Sequence, residues 1–254
     1  MNVILMVETF VAFILAVTIH GAAQARMATI LGDTTPRLRG RLSLFPQQQL
    51  SAIGIIAGIV FSVTTLGAGI GWGKPLEIDA RKLRIGPNIG TIVVALSGLV
   101  FNALLGVAIL AAFNLLPNLN TFAHQANICV NSRLFGGELQ GCVQSVPGWA
   151  LRIEQFFFIF ALTNIAIAIL NIIPLHPLDG YHVLFALLPT RQAIGWRNFA
   201  QWGELLLLVI FFVVPVILQF VNISFIPANL FIVRPADTIA VNLMPVNANL
   251  FVRM

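Results

Sequence analysis

The amino-acid sequence predicts an all-α, multi-pass membrane protein, and three observations lead to that fold class. Hydrophobic residues make up 58% of the 254 residues, charged residues make up only 9%, and the mean hydropathy is +0.93. A soluble globular domain carries about 25% charged residues, so this chain belongs to a different class. Several runs also reach the roughly 20 apolar residues that an α-helix needs to cross a bilayer.

The first half of the chain predicts one span and one re-entrant segment. An apolar run from about Val3 to Ala25 is followed by the basic stretch Arg26–Arg41, which predicts a cytoplasmic loop. The segment at about 51–70 is apolar but rich in Gly, Ser and Thr, and the stretch after it, Lys74–Arg84, is again basic. Since both flanks carry the cytoplasmic charge signal, we expect 51–70 to enter and leave by one face, covered by other protein.

The second half of the chain predicts three further spans with a polar loop outside the cytoplasm. That loop, at about 117–150, holds Cys129 and Cys142. Disulfides persist outside the cytoplasm, so a Cys129–Cys142 bridge is expected, and two unpaired thiols are the alternative. The predicted spans are Ile89–Leu116, Ile153–Ile173 and Gly203–Phe220.

The sequence divides into a membrane core and a C-terminal part. We expect residues 1–190 to form the core and residues 191–254 to form the last transmembrane helix and an extracytoplasmic tail. The apolar runs of the tail, from Ile223 onward, are separated by prolines and are too short to cross a bilayer. The tail is therefore expected on the outer surface or against a partner. Nucleic-acid binding is not expected, because the net charge of +5 lies in loops between spans.

Several short strings, in matching order and spacing, resemble the motifs of the site-2 protease family of intramembrane zinc proteases. The His20–Ala25 string is similar to the family's H-E-x-x-H-A, and Asn171–Gly180 is similar to N-x-x-P-x-x-x-L-D-G. The resemblance is to compact bacterial members without a PDZ domain. It implies a helical membrane core with a re-entrant element, and a location in the bacterial inner membrane. The other similar strings are Leu31–Asp33, Gly40–Pro46, Gly71–Pro75 and Ser97–Asn102.

Two departures from the family motif bear on function. The family chemistry needs two histidines four residues apart to hold zinc, and a glutamate beside the first to activate water. Here His20 remains and Asp179 matches the third ligand, but Gly21 replaces the glutamate and Gln24 replaces the second histidine. Glycine cannot transfer a proton, and an amide oxygen is a weaker zinc ligand than imidazole. The resemblance therefore implies no catalytic residue and no metal at the relic positions His20, Gln24 and Asp179.

A rebuilt metal site is the alternative at these positions. His176 and His182 flank Asp179, so His20, Asp179 and one of them would form a new set of two histidines and one carboxylate. The simpler interpretation is that Asp179 and His20 form a buried polar pair between two helices.

We therefore expect a catalytically inactive, protease-like membrane protein that acts as a scaffold or accessory subunit of a larger complex, or that binds a transmembrane helix. Its expected partners are other membrane proteins, a transmembrane helix and lipids, and no cofactor is expected. One alternative is a divergent intramembrane metalloprotease that uses zinc at the rebuilt site. Another is a protein that binds a lipid or quinone in the emptied cavity.

Overall fold

The structure is a computed structural model that describes residues 3–64, 68–115, 149–220 and 227–243. Within these ranges the chain is built from helices, with one isolated antiparallel pairing between Leu50 and Gly73. The predicted all-α membrane fold is confirmed. The helices are α1 (Val3–Ile30), α2 (Thr35–Leu38), α3 (Pro46–Gln49), α4 (Ala52–Thr64), α5 (Pro87–Leu115), α6 (Trp149–Leu170), α7 (Asp179–Leu187), α8 (Thr190–Leu208), α9 (Val214–Phe220) and α10 (Arg234–Leu243).

Three helices in the described ranges are long and apolar enough to cross a bilayer. They are Val3–Ile30, Pro87–Phe113 and Thr190–Leu218, and the last combines α8, a π-helical turn at Val209–Val213 and the start of α9. This last helix begins well before the predicted start at Gly203, directly after Pro189. Its first turns are polar, so hydropathy alone placed its start too late.

The central helix of the core is α6, which packs against α1 and α5. Its side chains are buried along nearly the whole segment from Phe158 to Leu170. The apolar part of α6, Gln155–Leu170, is shorter than a full crossing by itself. A short helix enclosed by longer ones needs less lipid contact, because other protein covers its apolar surface.

The predicted re-entrant segment contains α4, and its two flanks lie side by side. Leu50 pairs with Gly73, and the Lys74 N–H donates to the Gln49 carbonyl at 2.7 Å. Gly54 permits this return, since a Cβ there would overlap the Trp72 carbonyl oxygen. The 13 residues of α4 span about 20 Å at 1.5 Å per residue, less than the hydrocarbon core of a bilayer.

The two basic stretches that flank the re-entrant segment contact each other through Asp33. Its carboxylate is fully buried and accepts from the Thr35 N–H at 2.9 Å and from the Asp79 N–H at 2.8 Å. The Arg84 N–H donates to the Leu31 carbonyl at 2.8 Å. The stretches therefore lie on one side of the molecule, and the assignment of that side to the cytoplasm stays a prediction based on charge.

The described part of the tail packs onto the chain itself, and its expected position on the outer side of the membrane or against a partner stays a prediction. A π-helical turn at Asn229–Val233 leads into α10. Small and branched side chains on one face of this segment join the same hydrophobic core as α6, and they are Ala228, Ile232, Val233, Ala236 and Ala240. Cys129 and Cys142 lie outside the described residues, so their bridge stays a prediction.

Candidate functional site

The three relic side chains come together between α1 and the start of α7. His20 and Gln24 are one helical turn apart on one face of α1. Asp179 is the first residue of α7 and is only 6% exposed. The Gln24 Nε2 donates to Asp179 Oδ1 at 2.6 Å, and His20 Nε2 lies 2.7 Å from Asp179 Oδ2. The expected pairing of Asp179 with His20 is therefore present as a contact in the structure.

The His20 contact is close but is not aligned as a hydrogen bond. Asp179 Oδ2 is buried and accepts no hydrogen bond from the described residues, although His20 Nε2 lies at ion-pair distance. The oxygen thus lies off the direction of an imidazole N–H. Gln24 provides the aligned hydrogen bond, and its Nε2 also donates to the Ala95 carbonyl at 3.2 Å. Because both partners of this nitrogen are acceptors, the amide orientation follows from the contacts.

Asp179 is held from its own side by the turn that precedes α7. Its backbone N–H donates to Asn171 Oδ1 at 3.4 Å, and the Gly180 N–H donates to the Asn171 carbonyl at 2.7 Å. The Asn171 Nδ2 donates in turn to the Ile167 carbonyl at the end of α6. A carboxylate in the first turn of a helix is also stabilised by the helix dipole. Asn171 therefore joins the end of α6 to the start of α7.

A glycine on α5 allows the third helix to approach the cluster. A Cβ at Gly98 would lie 2.8 Å from the Gln24 Cγ and from both His20 Cε1 and His20 Nε2. Those distances are shorter than real Cβ contacts, so only glycine lets α5 pack directly on His20 and Gln24. Asn102, one turn further along α5, donates to the Ala16 carbonyl at 3.3 Å and is fully buried. Within the Ser97–Asn102 string, Gly98 and Asn102 are therefore the residues that hold α5 against α1.

The space beside Gly21, where the resembled motif has its glutamate, is filled by Gln49. A Cβ at position 21 would overlap Gln49 Oε1 and would lie 3.6 Å from the Arg41 Nη2. Gln49 is 1% exposed, and its Nε2 donates to the carbonyls of Arg41 at 2.7 Å and Ser43 at 3.1 Å. Its amide is therefore anchored and cannot easily swing away. Nothing in the sequence pattern predicted this contact between Gln49 and position 21.

His176 and His182, the two additional histidines of the alternative metal site, lie in different surroundings from each other. The His176 ring packs edge-on against Tyr181, with ring centroids 5.5 Å apart. His182 lines a small cavity of about 20 Å³ with Gln24 and Asp179, and its Nε2 has no hydrogen-bond partner among the described residues. In the described part of the chain, no group of three or more His, Cys, Asp or Glu side chains converges as a metal site. His182 thus lies near Asp179, but the complete set does not assemble.

The residues at the relic positions do not fit zinc in the way the motif would hold it. A metal-bound histidine almost always donates its second ring N–H to a carbonyl, a carboxylate or a water molecule. The Nδ1 of His20 is buried and has no such partner in the described ranges. The Gln24 amide presents its nitrogen to Asp179 and so offers a donor instead of a ligand oxygen. Only His20 and Asp179 remain as ligands, which is fewer than catalytic zinc sites use.

A further polar contact that the sequence did not indicate ties the Gly71–Pro75 string to the last long helix. The Trp72 Nε1 donates to Glu204 Oε1 at 3.0 Å, and Trp72 is fully buried. The bond connects the re-entrant region to α8.

A helical membrane core in which α1 and the start of α7 bring His20 and Asp179 together defines a protein of the site-2 protease class. The chain belongs to peptidase family M50, whose family model matches residues 9–216. It is also similar to the Bacillus subtilis (strain 168) protein named "Putative zinc metalloprotease YwhC", with 27% identity over 207 residues, 82% of this chain and 81% of that protein. No solved structure matches the chain significantly. The family match continues through α8 into α9, beyond the strings that carried the resemblance.

The polar cluster predicts a stability effect of Asp179. Replacing Asp179 by Ala leaves Gln24 and His20 buried without their partner, so we expect a loss of about 1.5–3 kcal/mol, the range for hydrogen bonds to charged groups. Asp179→Asn should lose less, because its amide oxygen can still accept from Gln24. Thermal unfolding in detergent measures both variants. Glu77→Ala, at an exposed ion pair with Arg39, is the control and should lose under about 1 kcal/mol. If Asp179→Ala were as stable as the native chain, the polar cluster of His20, Gln24 and Asp179 would not stabilise the fold.

The contact between Gly21 and Gln49 predicts a non-additive pair. Gly21→Ala alone should destabilise by about 1–3 kcal/mol, because the new Cβ overlaps the anchored Gln49 amide. In a Gln49→Ala background the same change should be neutral or stabilising, since alanine is the better helix former by about 0.5–1 kcal/mol. Gly195→Ala is the matched control, as it is an exposed helical glycine with nothing within 4 Å of its Cβ position. Additive effects in the double variant would show that Gln49 does not fill this space.

Proposed function

We propose that the chain is a catalytically inactive member of its family that works by binding, as a scaffold or accessory subunit of a membrane complex or as a receptor for a transmembrane helix. The observation that carries this proposal is that the position beside His20 has no side chain that could act as a base, and that another side chain fills the space next to it. Gly21 provides no base there, and the anchored amide of Gln49 occupies the adjoining space. Loss of a positioned base alone costs roughly 10²–10⁴-fold in rate. Binding needs only the fold, which the family membership supplies.

The size of the space around the relic residues supports the same proposal. The cavity lined by His20, Gly21, Gln24, Gln49 and Asp179 has a volume of about 20 Å³. That is room for about one water molecule, whereas sites for small organic ligands measure about 300–1,000 Å³. A lipid tail or quinone therefore finds little space beside these residues, which disfavours that alternative here.

A divergent metalloprotease is the second candidate, and one observation favours it. The Nε2 of His182 is buried without a hydrogen-bond partner in the described ranges and lines a cavity together with Asp179. Together with His20 and Asp179, this nitrogen would complete a set of two histidines and one carboxylate. The metal content of the purified protein separates this candidate from the first.

The proposal predicts that purified protein carries well under one zinc per chain. Elemental analysis of the full chain in detergent makes the measurement. The matched control is Gln24→His, which places a second imidazole one turn from His20 beside Asp179, and it should gain about one zinc. A native chain with about one zinc, lost on His20→Ala or His182→Ala, would establish the rebuilt metal site and favour the metalloprotease candidate.

The binding role predicts a stable complex in the native membrane. After mild detergent extraction, the tagged chain should co-purify at a fixed ratio with at least one other membrane protein. A folded His20→Ala variant should retain the same partner, uncleaved, at the same ratio. The reason is that the partner is expected to contact the outside of the helical core and not the residues around His20. A monodisperse monomer that cleaves a transmembrane-helix reporter, with loss of cleavage in Asp179→Ala, would contradict the proposal.

A further inference from the structure

A second cavity lies on the side of the molecule where the two basic stretches meet. Its volume is about 270 Å³, and it is lined by Arg39, Arg41, Gln48, Lys74, Pro75 and Glu77. The Lys74–Pro75 segment separates it from the relic site, because that segment lines both cavities. The second cavity is therefore an independent feature of the fold, and it is larger than the space around His20.

The charges that line this cavity do not balance. Three cations face one carboxylate, and Glu77 already forms an ion pair with Arg39. Lys74 is exposed and makes no ion pair with the described residues. With Arg39 and Glu77 cancelling each other, Arg41 and Lys74 leave the cavity with a net charge of +2. Such a concentration of like charge attracts an anion.

Arg41 is the residue that makes this cavity more than a surface patch. It is only 8% exposed, and its guanidinium donates to the carbonyls of Gln48 and of Lys74. Among the described residues its Nε is buried with no hydrogen-bond partner, and no carboxylate there forms an ion pair with it. Burial lowers the pKa of Arg41 from its ordinary value, but an arginine guanidinium is so weak an acid that it remains charged at neutral pH. A buried cation without a counter-charge is costly unless an anion approaches it.

The surroundings of the cavity indicate where the anion comes from. Next to its arginines the chain exposes three large apolar side chains, Leu38 at 83%, Leu44 at 65% and Phe45 at 72%. These residues belong to α2 and to the segment just before α3, so they are outside the three long spans. Exposed apolar side chains beside basic ones are typical of a segment at the boundary between headgroups and acyl chains. The cavity and this segment together suit a molecule with a phosphate and an apolar tail.

We infer that Arg39, Arg41 and Lys74 bind the phosphate of an anionic membrane phospholipid, with Leu38, Leu44 and Phe45 against its acyl chains. Arginine pairs with phosphate oxygens through its planar donor fork, and lysine adds a point charge. The site lies on the predicted cytoplasmic side, where anionic headgroups attract basic segments. It does not depend on the proposed function, because it shares no relic residue.

Lipid titration followed by native mass spectrometry tests this site in the full chain. Short-chain phosphatidylglycerol should bind saturably, about tenfold more tightly than phosphatidylcholine of the same chain length. Arg39→Gln with Lys74→Gln should lower the affinity for phosphatidylglycerol at least tenfold, since two of three cations are gone. Glu77→Gln should raise it severalfold, because Arg39 is then released from its ion pair. Both changes are at exposed positions, so thermal unfolding without lipid should be nearly unchanged.

Matched controls decide between this site and its competitors. Arg37→Gln with Arg84→Gln removes the same charge from exposed positions outside the cavity and should leave the affinity within about twofold. An equal loss in both double variants would mean a diffuse electrostatic effect and would overturn the site. Inorganic phosphate that binds as tightly as phosphatidylglycerol would assign the cavity to a soluble anion and overturn the lipid assignment. Equal affinities for phosphatidylglycerol and phosphatidylcholine would also overturn the assignment to an anionic lipid.

Discussion

The carboxylate of Asp179 has to be accommodated inside an apolar helical core, and much of the arrangement around it meets that requirement. An unpaired ionised group in such surroundings is costly, so partners must reach it from several directions. Gln24 and His20 approach from α1, Asn171 holds the backbone from the end of α6, and the N-terminus of α7 stabilises the charge. The positions of α1, α6 and α7 are therefore coupled through one buried acid.

The same requirement explains the close packing of α5. Helices in membranes gain little from hydrophobic burial against one another, so small residues at their contacts matter for packing. Gly98 lets α5 lie directly on His20 and Gln24, and the Ala95 carbonyl then becomes the second acceptor of the Gln24 amide. A Cβ at position 98 would overlap the Gln24 side chain and the His20 ring, so α5 or these side chains would have to shift.

The sequence predicted the fold class and the meeting of His20, Gln24 and Asp179, because order and spacing of motifs encode which helices carry the polar groups. It could not predict the contact of Gln49 with Gly21 or the bond of Trp72 to Glu204. Both join positions far apart in the chain through the path of the re-entrant segment. The start of α8 was also missed, since its polar first turns lower the hydropathy that marks a span. The buried face of the tail was missed because its apolar runs are short and interrupted by prolines.

The departure from the family motif at Gly21 is physically linked to the position of the Gln49 amide. Protein interiors are close-packed, so removal of a glutamate side chain would leave a void unless another group moved in. Here the amide of Gln49 fills that volume and is fixed by two carbonyl acceptors, so little free space remains. Restoring a glutamate at position 21 alone would meet this amide before it met any substrate. Such tight packing is typical of a protein core, and it supports the proposed binding role over a site that holds a catalytic base at position 21.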